Sequence, residues 1–204
     1  MKKTIIMALM LSMALYSCKD KNATAEGTET AATETEAAPA GKEPIYTVNE
    51  ADWVETDLSG TSTLTPIIVK LPKDAVLEKN GNGGVDVKIA EDYVISVYAQ
   101  AVSSMEELIK ANKTLTTGRT EQYVDIKTIT DEPNGFVFTY TMKPEANGAT
   151  YNPESHFFFA LEGKDKAFFS LSDSGSMTMS EKVYTEEAAK KVYEIIKSSA
   201  KVKQ

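Results

Sequence analysis

HFFFALEGKDKAFFSLS, His156–Ser172, is two aromatic runs separated by a charged five-residue stretch, Glu162 to Lys166. Residues two apart share a face of a strand, so Phe157 and Phe159 fall on one side while Phe158 and Phe168 fall on the opposite register. The pattern predicts an aromatic hairpin turning at Glu162-Gly163-Lys164-Asp165-Lys166. A hairpin with one wet face would alternate apolar and polar residues. Here both faces are apolar, which predicts a helix packed on each side of the sheet.

Upstream, Tyr123 to Ile129 and Phe136 to Met142 read as two more strands, joined by Asp131-Glu132-Pro133-Asn134-Gly135, whose Pro, Asn and Gly are turn formers. Phe136, Phe138, Tyr140 and Met142 line one face of the second. Before them the period changes from two to 3.6. Ser103 and Glu106 have capping-box spacing, and Met105, Leu108, Ile109 and Leu115 share a helical face that ends near Gly118. Further upstream, Val76 and Leu77, then Val85, Val87 and Ile89, flank Asn80-Gly81-Asn82-Gly83-Gly84, and Tyr93 to Tyr98 continues an antiparallel meander. Ile67, Val69 and Leu71 alternate in a half-buried strand ended by Pro72, and Trp53, Val54 and Leu58 mark an earlier strand or covering segment. Downstream, Thr185 caps a helix with Glu186 and Glu187 first, Lys197, Lys201 and Lys203 last, and an apolar stripe of Ala188, Ala189, Val192, Ile195 and Ile196.

The expected fold class is therefore α+β: an antiparallel sheet of hairpins packed by a central helix and a C-terminal amphipathic helix, one domain over 45–204. Over residues 66 to 200 the order of elements resembles the PsbP-like α/β/α sandwich family. The likeness rests on the opening strand ending in Leu71-Pro72, the helix after the meander, the central hairpins and the closing helix. It implies a binding or assembly role and carries no catalytic residue across.

The first residues bear on location. Lys2 and Lys3 precede an apolar run, Ile5 to Leu15, far shorter than the roughly 20 residues a membrane-spanning helix needs, and small Ser17 stands directly before Cys18. Residues 1–17 read as a cleaved signal peptide. Leu15-Tyr16-Ser17-Cys18 resembles the lipobox of bacterial lipoproteins, with bulky Tyr16 as its departure. That resemblance implies a diacylglyceryl group on the Cys18 sulfur, cleavage before it, and acylation of the new amino terminus. Residues 18–44, rich in Thr, Glu and Ala and without large apolar side chains, read as a disordered tether. Because Lys19 and not an acid follows Cys18, the outer membrane is expected rather than the inner one. The mixed charge of Lys19-Asp20-Lys21 suits either the periplasmic or the surface face. Cys18 is the only cysteine, so no disulfide can form within the chain.

A formal net charge of −8, about −10 once Lys2 and Lys3 leave, argues against nucleic acid as a partner, which needs clustered Lys and Arg. His156 is the only histidine, without a second histidine or a Gly-x-Ser-x-Gly serine to complete a triad or zinc site, and is read as structural or surface. Glu91-Asp92, Asp131-Glu132 and Asp173 read as solvated turn acids, and Asn80 to Gly84 as a hairpin turn rather than an anion cradle. Tyr151, in the loop Lys143 to Ser155, joins His156, Phe158 and Phe168 as candidates for a ligand or partner surface. No catalytic residue, cofactor or metal is expected. The functional expectation is a lipid-anchored, non-catalytic lipoprotein that binds an envelope protein or glycan. The alternative is an enzyme or accessory protein acting on envelope or imported glycan.

Overall fold

The structure is a computed structural model that describes residues 43–144, 151–173 and 182–203. The signal peptide, Cys18, the tether up to residue 42 and the middle of the loop at 145–150 lie outside the described residues.

The fold is α+β. Among the described residues ten strands form two antiparallel sheets: β1 (Trp53–Asp57), β2 (Ile67–Pro72), β3 (Val76–Lys79), β4 (Val85–Ala90), β5 (Tyr93–Gln100), β6 (Tyr123–Glu132), β7 (Gly135–Met142), β8 (Pro153–Glu162), β9 (Phe168–Ser172) and β10 (Lys201–Val202). Helix α1 (Met105–Thr117) lies between β5 and β6, and α2 (Glu186–Ser199) between β9 and β10. The large sheet runs β3-β4-β5-β9-β8-β7-β6 and the small one β1-β2-β10.

The two faces of β8 decide the layers, as its aromatic sequence predicts. Phe157 and Phe159 join Val137, Phe169 and Leu171 in a core completed by β2 and by Ala189, Val192, Tyr193, Ile195 and Ile196 of α2. Phe158, Ala160 and Phe168 face the other way, with Phe136, Phe138 and Tyr140, beneath Leu108 and Ile109 of α1. Each face of the large sheet thus has its own helix and its own core. Gly135 permits the close approach on the α2 side. A Cβ there would stand 2.8 Å from the Tyr193 hydroxyl and 2.7 Å from the Phe158 carbonyl oxygen.

Turn chemistry refines two expectations. In the β3–β4 turn only Gly83 takes a positive φ, of 80°. Asn80 contributes its side chain instead, accepting from the backbone N–H groups of Asn82 and Gly84 at 3.2 and 2.9 Å. In the β8–β9 turn the left-handed pair is Asp165 (φ 56°) and Lys166 (φ 58°), a conformation Asp tolerates better than Lys.

Three expectations are corrected. Strand β2 does not open the meander; it pairs with β1 and β10 in the small sheet. The C-terminal helix stops at Ser199, so Lys201 and Lys203 are not in its last turn. Ala200 is extended, Lys201 and Val202 pair with Ile68 and Ile67, and the two lysines bond Glu55 and Asp57 at 2.7 and 2.5 Å. Finally, Ser104 rather than Ser103 caps α1, accepting from Glu107 N–H at 3.1 Å, while the Glu107 carboxylate reaches back to Ser103 N–H at 2.9 Å. Ser104→Ala is expected to lower the unfolding free energy by about 1 kcal/mol, whereas Ser103→Ala leaves the Ser104 cap in place. Urea denaturation of the two variants side by side checks this; equal losses would assign the cap wrongly.

Candidate functional site

His156 enters the structure on β8 opposite Phe138 of β7, on the face that α1 covers. The start of β8 runs beyond β9, and the chain at 182–185 occupies the place beside it. Ser155 N–H donates to the Tyr184 carbonyl at 3.0 Å, and Ile45 N–H donates to that of Val183 at 2.8 Å. Tyr184 is thereby laid against the imidazole, ring centroids 4.7 Å apart, with its own hydroxyl bonded to the Asp92 carbonyl. From the other side Tyr140 stacks on the imidazole at 5.4 Å.

Two carboxylates bracket the ring. Asp173 Oδ1 lies 3.5 Å from Nδ1 and accepts from Phe157 N–H at 2.8 Å; Glu154 Oε2 lies 3.5 Å from Nε2. The Tyr140 hydroxyl, 3.2 Å from Nε2, also reaches Glu154 Oε2 at 3.3 Å. With both ring nitrogens protonated, Nε2–H donates toward the phenol oxygen and Glu154, and the phenol O–H donates to Glu154. Burial alone would push the imidazole pKa down. The Asp173 and Glu154 carboxylates outweigh it and hold the pKa up at about 9, so the ring is an imidazolium at neutral pH. The same arrangement acts on the phenols. Burial, then the Glu154 charge, raises Tyr140 far above the usual phenol range, and burial with Asp173 does so for Tyr93.

His156 is 0% exposed and Asp173 1%, so of the structural and surface readings of the histidine the structural one holds and it presents no partner surface, while the expectation of a solvated turn acid at 173 is corrected. Glu154 and Asp173 stand on either side of a buried ring and not across an open cleft. This centre holds charge inside the fold, with the imidazole itself out of contact with solvent. Phe158 and Phe168, each 3% exposed, belong to the core under α1 and present no surface. Tyr151 is half-buried just before β8.

The centre reaches the surface through Tyr140. Its ring lines a pocket of about 150 Å³ together with Tyr123, Phe138 and, from the C-terminal end of α1 and beyond, Asn112, Leu115, Thr116 and Arg119. Tyr123 and Tyr140 make its aromatic wall, centroids 4.2 Å apart. Asn112 donates through Nδ2 to the Leu108 carbonyl at 2.9 Å, and Thr116 donates to the Asn112 carbonyl at 2.8 Å. Those bonds commit the one Thr116 O–H and one of the two Asn112 Nδ2–H groups, leaving Asn112 Oδ1, its second N–H and the Thr116 oxygen. Leu115, expected on the buried face of the helix, is instead 57% exposed at this pocket. Arg119, the only arginine of the chain, is exposed and makes no ion pair among the described residues.

A larger groove, about 820 Å³, runs between α1 and the β6–β7 turn past Met105, Ile109 and Pro133. Of its charged lining residues, Lys113 is paired with Asp131 and Glu132 with Lys197 at 2.7 Å, while Glu106 and Lys110 also face it from α1. Among the described residues, no group of three or more His, Cys, Asp or Glu could hold a metal ion. None of the helices there is long and apolar enough to cross a membrane.

Of the residues gathered here, the sequence singled out His156 as a surface candidate and Asp173 as a turn acid, but not Glu154, Arg119 or Tyr123. A lone arginine just past a helix end, four residues before a tyrosine, was the available signal. No family model matches the chain, and no curated protein matches it.

Proposed function

We propose that the chain is a bacterial lipoprotein, exported and held at the envelope by lipid on Cys18, whose domain is a non-catalytic binding or assembly module of the PsbP-like α/β/α sandwich type. The observation that carries the reading is the sealing of His156. The one side chain suited to acid–base work near neutral pH is wholly enclosed, while the pocket beside it opens to solvent with an aromatic wall and a guanidinium. A helix on each face of the large sheet supports the sandwich. Lipid on Cys18 supplies the anchor: burial of acyl chains stabilises by roughly 0.8 kcal/mol per CH₂, and two or more chains hold stably where one does not. The outer membrane is the expected site, following Lys19 after Cys18.

Cys18→Ser separates anchor from domain. The wild-type chain, labelled with radioactive palmitate in a bacterial host, is expected in the membrane fraction with label; the variant is expected without label and in the soluble fraction if its signal is still cut. Mass spectrometry of the mature wild type is expected to begin at a triacylated Cys18. An unmodified Cys18, or label that persists in the variant, overturns the anchor.

A further inference from the structure

We infer that the pocket formed by Asn112, Thr116, Arg119, Tyr123 and Tyr140 binds a sugar acid, a six-membered ring carrying both hydroxyls and a carboxylate; this rests on the reading of the domain as a binding module. Size comes first. Pockets for drug-sized ligands run from about 300 Å³ upward, and 150 Å³ accommodates a single ring.

The lining then selects the chemistry. Tyr123 and Tyr140 present aromatic surface, which suits the apolar C–H face of a pyranose. The Thr116 oxygen is an acceptor whose one donor is committed to the helix backbone, and Asn112 keeps Oδ1 and its second Nδ2–H, a set that suits hydroxyl groups on the ligand, which both donate and accept. A purely aromatic acid would fill the space and leave both acceptors unpaired. Arg119 supplies the third requirement. As the chain's only arginine, the one planar fork stands at this mouth without a carboxylate partner among the described residues, and a guanidinium matches a carboxylate with two parallel hydrogen bonds. Tyr140 closes the back of the pocket, and its hydroxyl, engaged with Glu154 and His156, fixes that wall in place.

The ligand could arrive as a free monosaccharide or as a residue of a polyuronic chain. The test therefore uses D-glucuronate, a tetragalacturonate, and the carboxyl-reduced form of that tetrasaccharide, titrated into the mature chain and followed by saturation-transfer NMR and calorimetry. Either uronate is expected to bind; the tetramer binding much more tightly than the monomer points to a polymer as the source. Loss of a charge-assisted bidentate contact is expected to weaken binding roughly tenfold or more, both in Arg119→Gln and in the carboxyl-reduced sugar. Arg119→Lys should fall between, since an ammonium keeps the charge without the fork. Arg119 is exposed, so an unchanged thermal midpoint is expected to show that both variants are folded. Equal binding of the acidic and reduced tetrasaccharides, wild-type affinity in Arg119→Gln, or binding of neither uronate overturns the inference and leaves the Cys18 anchor standing. New reducing ends released from bound tetragalacturonate would support the site and sink the non-catalytic reading instead.

Discussion

Asp173→Asn is expected to lower the unfolding free energy by about 3 to 5 kcal/mol at pH 7, the cost of removing one partner from a buried ion pair. The substitution conserves shape, so packing of the neighbouring Phe157 is little disturbed. What changes is the field around an imidazolium that is 0% exposed and has Asp173 Oδ1 3.5 Å from its Nδ1. The pH dependence of the wild type carries the same signature. The folded pKa of His156, at about 9, lies above the unfolded value near 6.5, so the folded state binds the proton more tightly. The resulting stabilisation is fully present below pH 6.5 and is lost as pH rises through about 9. For that difference in pKa it amounts to about 3 kcal/mol. In Asp173→Asn most of the dependence should vanish, and variant and wild type should converge above pH 9. Urea unfolding followed by fluorescence of the single tryptophan, Trp53, at pH 6, 7.5 and 9.5 reads both effects. A loss below about 1 kcal/mol at pH 7, or a wild type whose stability is flat across that range, would mean that the ring is not held as a cation.

What could be read from the chain and what could not divides along sequence distance. Phe157, Phe158 and Phe159 state locally that both faces of β8 are buried, and the cores under α1 and α2 are the direct consequence. Alternation in Ile67 to Leu71 states that a strand is half-buried but not which sheet it joins. That choice is made by β1 and β10, the latter more than a hundred residues away. The end of α2 is ambiguous for another reason. Ala200-Lys201-Val202-Lys203 suits a helix by propensity, and only pairing with Ile67 and Ile68 and the ion pairs to Glu55 and Asp57 draws it straight. Ser103 and Ser104 each stand three residues before a glutamate, so the local pattern admits both caps.

The His156 centre needed information of the long-range kind throughout. Asp173 follows a strand and looks, by composition, like the start of a polar turn. Its carboxylate is buried because β9 returns beside β8 and brings it to the backbone N–H of Phe157. Tyr184 arrives from a segment outside the helices and strands, fixed by a backbone bond to Ser155 and, through Val183, by bonds to Ile45 and Glu43. The pocket was hidden by the opposite assignment. Leu115 fits the apolar stripe of α1 by spacing, yet the helix extends past the edge of the core it covers, and its last turn stands over Tyr123 and Tyr140 as a pocket wall.

Phe136→Ala is expected to be about as costly as the loss of Asp173, by about 3 to 5 kcal/mol, through a different mechanism. Phe136 is 0% exposed; its ring stacks on Phe158 at 5.5 Å, meets Phe138 at 5.6 Å, and lies under the Lys113 ammonium at 5.7 Å. Truncation removes a large apolar surface from a core of only eight buried residues, two of which, Leu108 and Ile109, belong to α1. Refilling that space would require α1 to sink, and α1 is pinned at its start by the Ser104 cap and along its length by Lys113 bonded to Asp131. Much of the cavity should therefore persist, which places the loss at the upper end of large-to-small substitutions. Leu115→Ala on the same helix, at a position 57% exposed, should change stability by no more than about 0.5 kcal/mol. The pair is informative because Trp53 sits in the other core, on the far side of the large sheet. If the two cores unfold as one cooperative unit, Trp53 fluorescence and far-ultraviolet circular dichroism must shift together in Phe136→Ala. Amide exchange should then accelerate in both helices by the same free energy. A loss under about 1.5 kcal/mol, or exchange that accelerates in α1 alone, would mean that α1 and its aromatic bed open separately from the rest of the domain, and the pocket between α1, Tyr123 and Tyr140 would open with them.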